Sequence, residues 1–142
     1  MKLQKKSLFA LYAVLELARH KDRHLSTAEI AEKYEISPHH LAKVMMPLVR
    51  AGIVRSVRGV GGGYQFAGNE RRITLLEVLE LFEPIGADQD GPDLDPARET
   101  DVGRALQDVR GEIDALTHAT LQSITLSTLL RDVAQGDAPP PT

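Results

Sequence analysis

Apolar side chains at Leu8, Leu11, Tyr12, Leu15 and Ala18 return at helical spacing and predict an amphipathic helix over 3–20. Lys2, Lys5 and Lys6 sit at its start, where positive charge opposes the helix dipole by about a few tenths of a kcal/mol. A nearby phosphate would offset that penalty, although scattered lysines also serve solubility. After the polar break HKDRH, Ser26 and Glu29 form a capping-box pattern that opens a second helix, with Ile30, Ala31 and Tyr34 facing inward. Ser37 as N-cap and Pro38 at the first helical position open a third, in which Leu41, Val44, Met45 and Leu48 mark the inner face and Gly52 the left-handed end. Two short helices joined by Glu35-Ile36 have the layout of a helix-turn-helix.

The period then changes. Ile53–Arg58 is β-branched and alternating, residues 59–63 are glycine-rich, and Tyr64-Gln-Phe66 follows, which predicts a β-hairpin with a glycine-rich tip. Thr74 and Glu77 form a second capping pattern for a helix carrying Leu75, Leu76, Val78, Leu79 and Phe82, ended by Pro84. Residues 86–101 hold one large apolar side chain, Leu94, and read as a mobile loop. From Val102 onward, Val102, Leu106, Val109, Ile113 and Leu116 step 4-3-4-3, the pattern of a two-helix seam. A small body already surrounded by four elements has little core left to cover that face, so a second copy of the chain is the expected cover. Gly103 and Gly111 each cost about 1 kcal/mol relative to Ala in a helix and are expected to mark close approach to that partner. A short helix capped by Thr125 and a proline-rich tail close the chain.

The expected fold is therefore mainly α with a small β-hairpin wing. A winged helix-turn-helix DNA-binding domain occupies 1–84 and a flexible loop 85–101. A dimerisation helix and short C-terminal helix occupy 102–133, and a disordered tail 134–142.

Composition adds two facts. Cysteine is absent, which excludes disulfides, thiol nucleophiles and thiolate-held metals or clusters. Charge is uneven: residues 1–72 carry 13 Lys+Arg against 6 Asp+Glu, whereas residues 73–142 carry 4 against 14. A basic half points to a polyanion partner, with solvated faces as the plainer alternative. Glu16, Arg19 and His20 interrupt the first apolar stretch and no small-residue cleavage pattern follows, so a signal peptide and a membrane span are not expected and the cytosol is.

Catalytic patterns are weak. No serine sits in a nucleophile elbow, the GGG run lacks the Lys-Ser/Thr of a phosphate loop, and the acidic residues of 88–101 lie on a loop that cannot hold a fixed geometry. His20 and His24 are four apart but straddle a helix end with no third ligand, and the acidic loop lacks a calcium-loop pattern. An enzyme, a metal and a cofactor are not expected. DNA binding has the better constellation. His39, His40, Lys43, Met46 and Arg50 point away from the inner face of the third helix, and its N-terminal side chains are those that meet base edges in the major groove. An arginine at a glycine-rich tip suits a narrow, electronegative minor groove. The candidate DNA-facing set is Lys5, Ser26, Ser37, Pro38, His39, His40, Lys43, Arg50, Arg55, Arg58, Gly59, Gly61, Gly62 and Tyr64.

The segments ALYAVLELA, LSTAEIAEKYEISPHHLAKVMMPLVRAGIVRSVRGVGGGYQFA, ITLLEVLELFEPI and ITLSTLL resemble the Rrf family of bacterial winged-helix regulators, the IscR/NsrR group, over residues 1–133. The wing from Val54 to Tyr64 is the most specific match, and His40-Leu-x-Lys43-Val is more similar to the nitric-oxide-sensing branch. The resemblance implies a homodimer on a two-fold operator, usually a repressor. Its long helix would cross to the other subunit, residues 37–47 would face the major groove and Arg58 would enter the minor groove. Many members hold an iron–sulfur cluster on three cysteines in the loop before the dimer helix. Here Ala87, Asp93 and Glu99 stand at that spacing, Leu8 replaces an aspartate ligand of the first helix, and Ala42 replaces a base-reading glutamate of the other branch. The expectation is a cluster-free member whose effector is a small molecule, a partner protein, or none.

Pro47 departs from a regular recognition helix. It removes the bond to the Lys43 carbonyl at about 3 kcal/mol in an ordinary interior, so a bend near 43–47 is expected. A sensor pocket between the first helix, the 74–83 helix and the dimer helix, near the 86–101 loop, would draw on Tyr12, Phe82 and His118, each of which has the plainer reading of a core or surface residue. The alternative to a regulator is a winged-helix protein-interaction module without operator specificity; the basic first half favours DNA.

Overall fold

A computed structural model describes residues 2–86 and 96–136. Helix α1 (Lys5–Arg19) starts without a side-chain cap from its N-cap residue, Gln4. The orphan donors of a helix start are met instead from far along the chain. The buried Glu83 carboxylate accepts from the Gln4 amide at 2.8 Å and from the Ser7 hydroxyl. A carboxylate at this end of the dipole offsets Lys5 and Lys6 without any phosphate.

The expected inner face of α1 is corrected. Ser7, Ala10, Ala13, Val14, Leu17 and Ala18 are buried, whereas Leu8, Leu11 and Leu15 are half-buried and Tyr12 is exposed. The helix is apolar nearly all round, so periodicity could not choose a face. The small side chains Ala10, Ala13 and Ala18 turn inward, where α1 packs against most of the other elements.

The helix-turn-helix follows the expected signals. Helix α2 (Thr27–Tyr34) has both halves of the Ser26–Glu29 capping box. Glu35 takes a left-handed conformation, φ 53°, to turn the chain. Helix α3 (Pro38–Arg50) buries Leu41, Val44, Met45 and Leu48 and is followed by Gly52 at φ 76°. Ser37 occupies the N-cap position, but its side chain makes no capping bond. The helix runs through Pro47 without interruption.

Strands β1 (Val54–Val57) and β2 (Gly63–Phe66) pair antiparallel, with Val54 opposite Phe66 and Val57 opposite Gly63. An isolated bridge adds Leu25 to the outer edge of β2, with both amides of the Leu25–Tyr64 pair donating at 2.8 Å. The hairpin is thus fastened to the segment that leads into α2.

Helix α4 (Leu75–Glu80) is capped by the Thr74 hydroxyl, which accepts from the Glu77 amide at 3.2 Å, and ends four residues before Pro84. A 3-10 turn (Pro96–Glu99) occupies part of the stretch expected as loop, and residues 87–95 of that stretch lie outside the described residues. Helix α5 (Asp101–Ser123) is capped by Thr100. Only Leu121 of α5 is buried, packed with Leu76, Leu79 and Ile85. Helix α6 (Leu126–Gly136), capped by Thr125, runs three residues past the expected end at 133. Its first residue, Leu126, is fully buried in the same core as α1 and α3, and the Leu126 amide donates to the Ile73 carbonyl at 2.9 Å. The C-terminal helix therefore completes the core of the winged unit as well as following α5.

Gly103 has a reason within its own chain. A Cβ there would run into the Ala97 carbonyl of the same chain, so the 3-10 turn alone requires this glycine. Gly111 has open space around it.

Candidate nucleic-acid interface

With its apolar stripe sunk in the core, α3 leaves His39, His40, Lys43 and Arg50 exposed, with Ser37 and Pro38 exposed at its start. The His39 and His40 rings lie 6.0 Å apart. Lys5 enters from the start of α1 and shares one cavity wall with His40 and Lys43. Lys6, not in the expected set, lines the same cavity. The only hint of Lys6 in the sequence was its place in the Lys2–Lys6 cluster.

The wing presents a second exposed surface. Arg58, Gly59, Val60 and Gly61 form its tip, with Gly59 at φ 108° and Gly61 at φ 76°. Gly62 is required for a different reason: a Cβ would strike the Val57 carbonyl. The His24 ring lies 2.6 Å from the Gly61 carbonyl and steadies the tip. His24 had been weighed as half of a metal pair with His20. The structure separates the two, for His20 contacts Glu16 at 3.3 Å as the C-cap of α1.

Arg55 is exposed on β1 and its guanidinium donates to Gln65 at 2.6 Å, while Gln65 donates to the Lys21 carbonyl at 3.1 Å. Tyr64 is half-buried and serves the bridge to Leu25. Ser26 is held by its own capping box beside that bridge. Among the described residues, Lys5, Lys6, Lys43, Arg50 and Arg58 form no ion pair. This surface carries cations that form no ion pair, the footprint of a polyanion site.

Behind α2 lies a polar cluster that fixes it to α1. Glu16, only 4 % exposed, accepts from both sides: Lys33 donates to its two oxygens at 2.9 Å, and the Tyr34 hydroxyl donates to it as well. Burial pushes the Glu16 carboxyl up, but the hydrogen bonds from Tyr34 and Lys33 and the charges of Lys33 and Arg19 outweigh it, leaving its pKa below the ordinary 4.5. The Tyr34 pKa is raised, first by burial and then by its bond to Glu16. Tyr12 stacks on Tyr34 at 5.1 Å and closes this cluster.

The expected pocket borders the 86–101 loop, of which residues 87–95 lie outside the described residues. A different cavity, of about 530 Å³, lies between α1, α3 and the end of α4. Phe82 lines this cavity, and His118 contacts Glu80 at 3.4 Å on the α4–α5 side. On α5 the side chains Val102, Leu106, Val109, Ile113 and Leu116 are all between 54 % and 68 % exposed, an uncovered apolar stripe.

These elements define a winged helix-turn-helix. The chain matches the family model Rrf2, described as an iron-dependent transcriptional regulator, over residues 3–132. It belongs to the Rrf2 family of DNA-binding transcriptional regulators. A protein of Rhodopseudomonas palustris named as the HTH-type transcriptional regulator BadM is 49 % identical over 131 residues, 92 % of this chain and 82 % of that protein. The HTH-type transcriptional regulator CymR of Bacillus subtilis is 32 % identical over 127 residues, 88 % of this chain and 92 % of its own. Among solved structures, T. potens IscR superposes with a TM-score of 0.77 at 25 % identity, covering 99 % of this chain and 94 % of that one.

The family description names iron, and the donor set here does not fit a thiolate-held iron site. There is no cysteine, Glu99 is exposed on the 3-10 turn, and positions 87 and 93 lie outside the described residues. No group of three or more His, Asp or Glu side chains that could hold a metal occurs among the described residues. No helix among them is long and apolar enough to cross a membrane.

Proposed function

We propose that this chain is a homodimeric, sequence-specific repressor that binds a two-fold operator without an iron–sulfur cluster. The observation that carries the reading is the surface formed by the start of α3 and the wing. It is exposed, cationic and free of internal ion pairs on a helix-turn-helix scaffold. In this reading the N-terminal part of α3 enters the major groove. Ser37, Pro38, His39, His40 and Lys43 lie against base edges and phosphates, and Arg50 and Arg55 against the backbone. Arg58 enters the adjacent minor groove, and Gly59, Gly61 and Gly62 let the tip backbone approach phosphates. Lys5, Ser26 and Tyr64 border that surface. The α5 stripe pairs with its copy, which matches a protein of two-fold symmetry to an inverted repeat with half-sites about one helical turn apart. Repression, the usual mode of the family it resembles, is the regulatory sense.

The test is to mix purified protein with fragmented genomic DNA, recover the bound pieces and sequence them. One enriched inverted repeat is expected, retained less well as salt rises. Uniform, salt-sensitive retention of all fragments, with or without cell extract as a source of effector, would overturn operator specificity and favour a protein-interaction module.

A further inference from the structure

The cavity between α1, α3 and the end of α4 combines two features that a DNA-contacting surface alone does not need. Its apolar walls include Phe9, Val44 and Phe82, and Lys5, Lys6 and Lys43 line it as well, with no carboxylate among the lining residues. None of the three lysines is ion-paired among the described residues. At about 530 Å³ it falls within the range of small-molecule sites. Apolar walls bordered by cations that form no ion pair complement an organic anion with a hydrophobic body, a carboxylate or a sulfonate. A simple phosphate would leave the apolar walls unused, and a neutral hydrocarbon would leave the lysines unused.

We propose that this cavity is an effector site for an amphiphilic organic anion, and that its occupant competes with DNA. The competition rests on the function proposed above, because Lys5, His40 and Lys43 both line the cavity and belong to the DNA-facing set. An anion seated there neutralises cations that the operator phosphates would otherwise meet. Binding to the free protein does not depend on that reading and is tested separately from it.

The probe is 8-anilinonaphthalene-1-sulfonate, followed by its fluorescence on the full chain without DNA. Saturable binding of one molecule per chain is expected, weakened as salt rises. N-phenyl-1-naphthylamine, which lacks the sulfonate, should bind at least tenfold more weakly. Leu81, 39 % exposed at the cavity wall, can be changed to Glu without opening the core. Leu81→Glu should weaken the probe at least tenfold, and Lys6→Ala about threefold or more, with thermal melts unchanged. Absence of saturable binding, equal binding of the neutral analogue, or binding untouched by both substitutions would overturn the site; the last result would place the probe on the α5 stripe. Operator titrations with and without the probe then test the competition. A raised half-saturation point supports it, and an unchanged one overturns it even where the site itself stands.

Discussion

Replacing Leu106 and Ile113 together with Asp places charge in the middle of the α5 stripe. Full burial of a Leu or Ile is worth about 1.5–3 kcal/mol, so side chains already partly covered in the free chain have roughly 1–2 kcal/mol each still to gain. Two-fold symmetry puts four altered side chains in each dimer, a loss of about 4–8 kcal/mol before the burial of four carboxylates is counted. At about 1.4 kcal/mol per tenfold, even the lower bound weakens the dimer by roughly a thousandfold. The single chain should be nearly indifferent, because both residues are more than half exposed in it and surface changes fall within about 0.5 kcal/mol. Sedimentation velocity across the micromolar range reads the change directly. The wild-type chain should sediment as a dimer and the double variant as a monomer with an unchanged melting temperature. A variant that stays dimeric at the same concentrations, or a wild-type chain that is monomeric, would refute the assignment of this stripe.

Arg58→Ala should weaken operator binding by about 1–3 kcal/mol and lower the salt slope by about one; an unchanged slope in filter-binding titrations would remove the wing arginine from the interface. Because the Glu16 pKa is lowered on folding, its contribution is fully present above pH 4.5 and is lost as pH falls through the folded value, while the raised Tyr34 pKa withdraws stability as pH climbs past 10. Tyr34→Phe should cost about 1.5–3 kcal/mol at neutral pH and remove the alkaline loss, read from urea midpoints across pH. Gly63→Ala forces a Cβ against the Leu25 carbonyl and should cost about 1–3 kcal/mol; an unchanged urea midpoint would mean the bridge to β2 yields freely.

Local signals carried most of the architecture. The Ser26–Glu29 box, Pro38 and Gly52 each act within one or two turns of chain, so their meaning can be read from neighbours in sequence. The α5 stripe was legible for a similar reason, since its 4-3 rhythm lies on a helix with polar residues between. What failed was non-local. Glu83 completes the start of α1 from 76 residues beyond Ser7, and no pattern near either residue announces the pair. The four-residue spacing of His20 and His24 gave no role to His24, because its neighbour, the Gly61 carbonyl, lies across a fold-back of 37 residues. The in-chain reason for Gly103 was hidden likewise, as the Ala97 carbonyl that demands it sits in a turn the loop composition did not disclose. The cavity between α1, α3 and α4 went unread because its walls come from three elements whose mutual packing depends on which face of α1 turns inward.

The tethering of the wing has a consequence for binding that concerns entropy. A loop free to wander forfeits about 1–2 kcal/mol for each residue it must order on meeting a ligand. Here the five residues from Arg58 to Gly62 are pinned at Gly61 by His24 and, just beyond, by the Leu25–Tyr64 bridge. Much of that loss has been met when the chain folds, so under the proposed function the wing would meet a groove as a rigid finger, and its contacts would reach the affinity with little deduction. His24, which holds the Gly61 carbonyl from outside the hairpin, would thereby set how strongly the tip can hold.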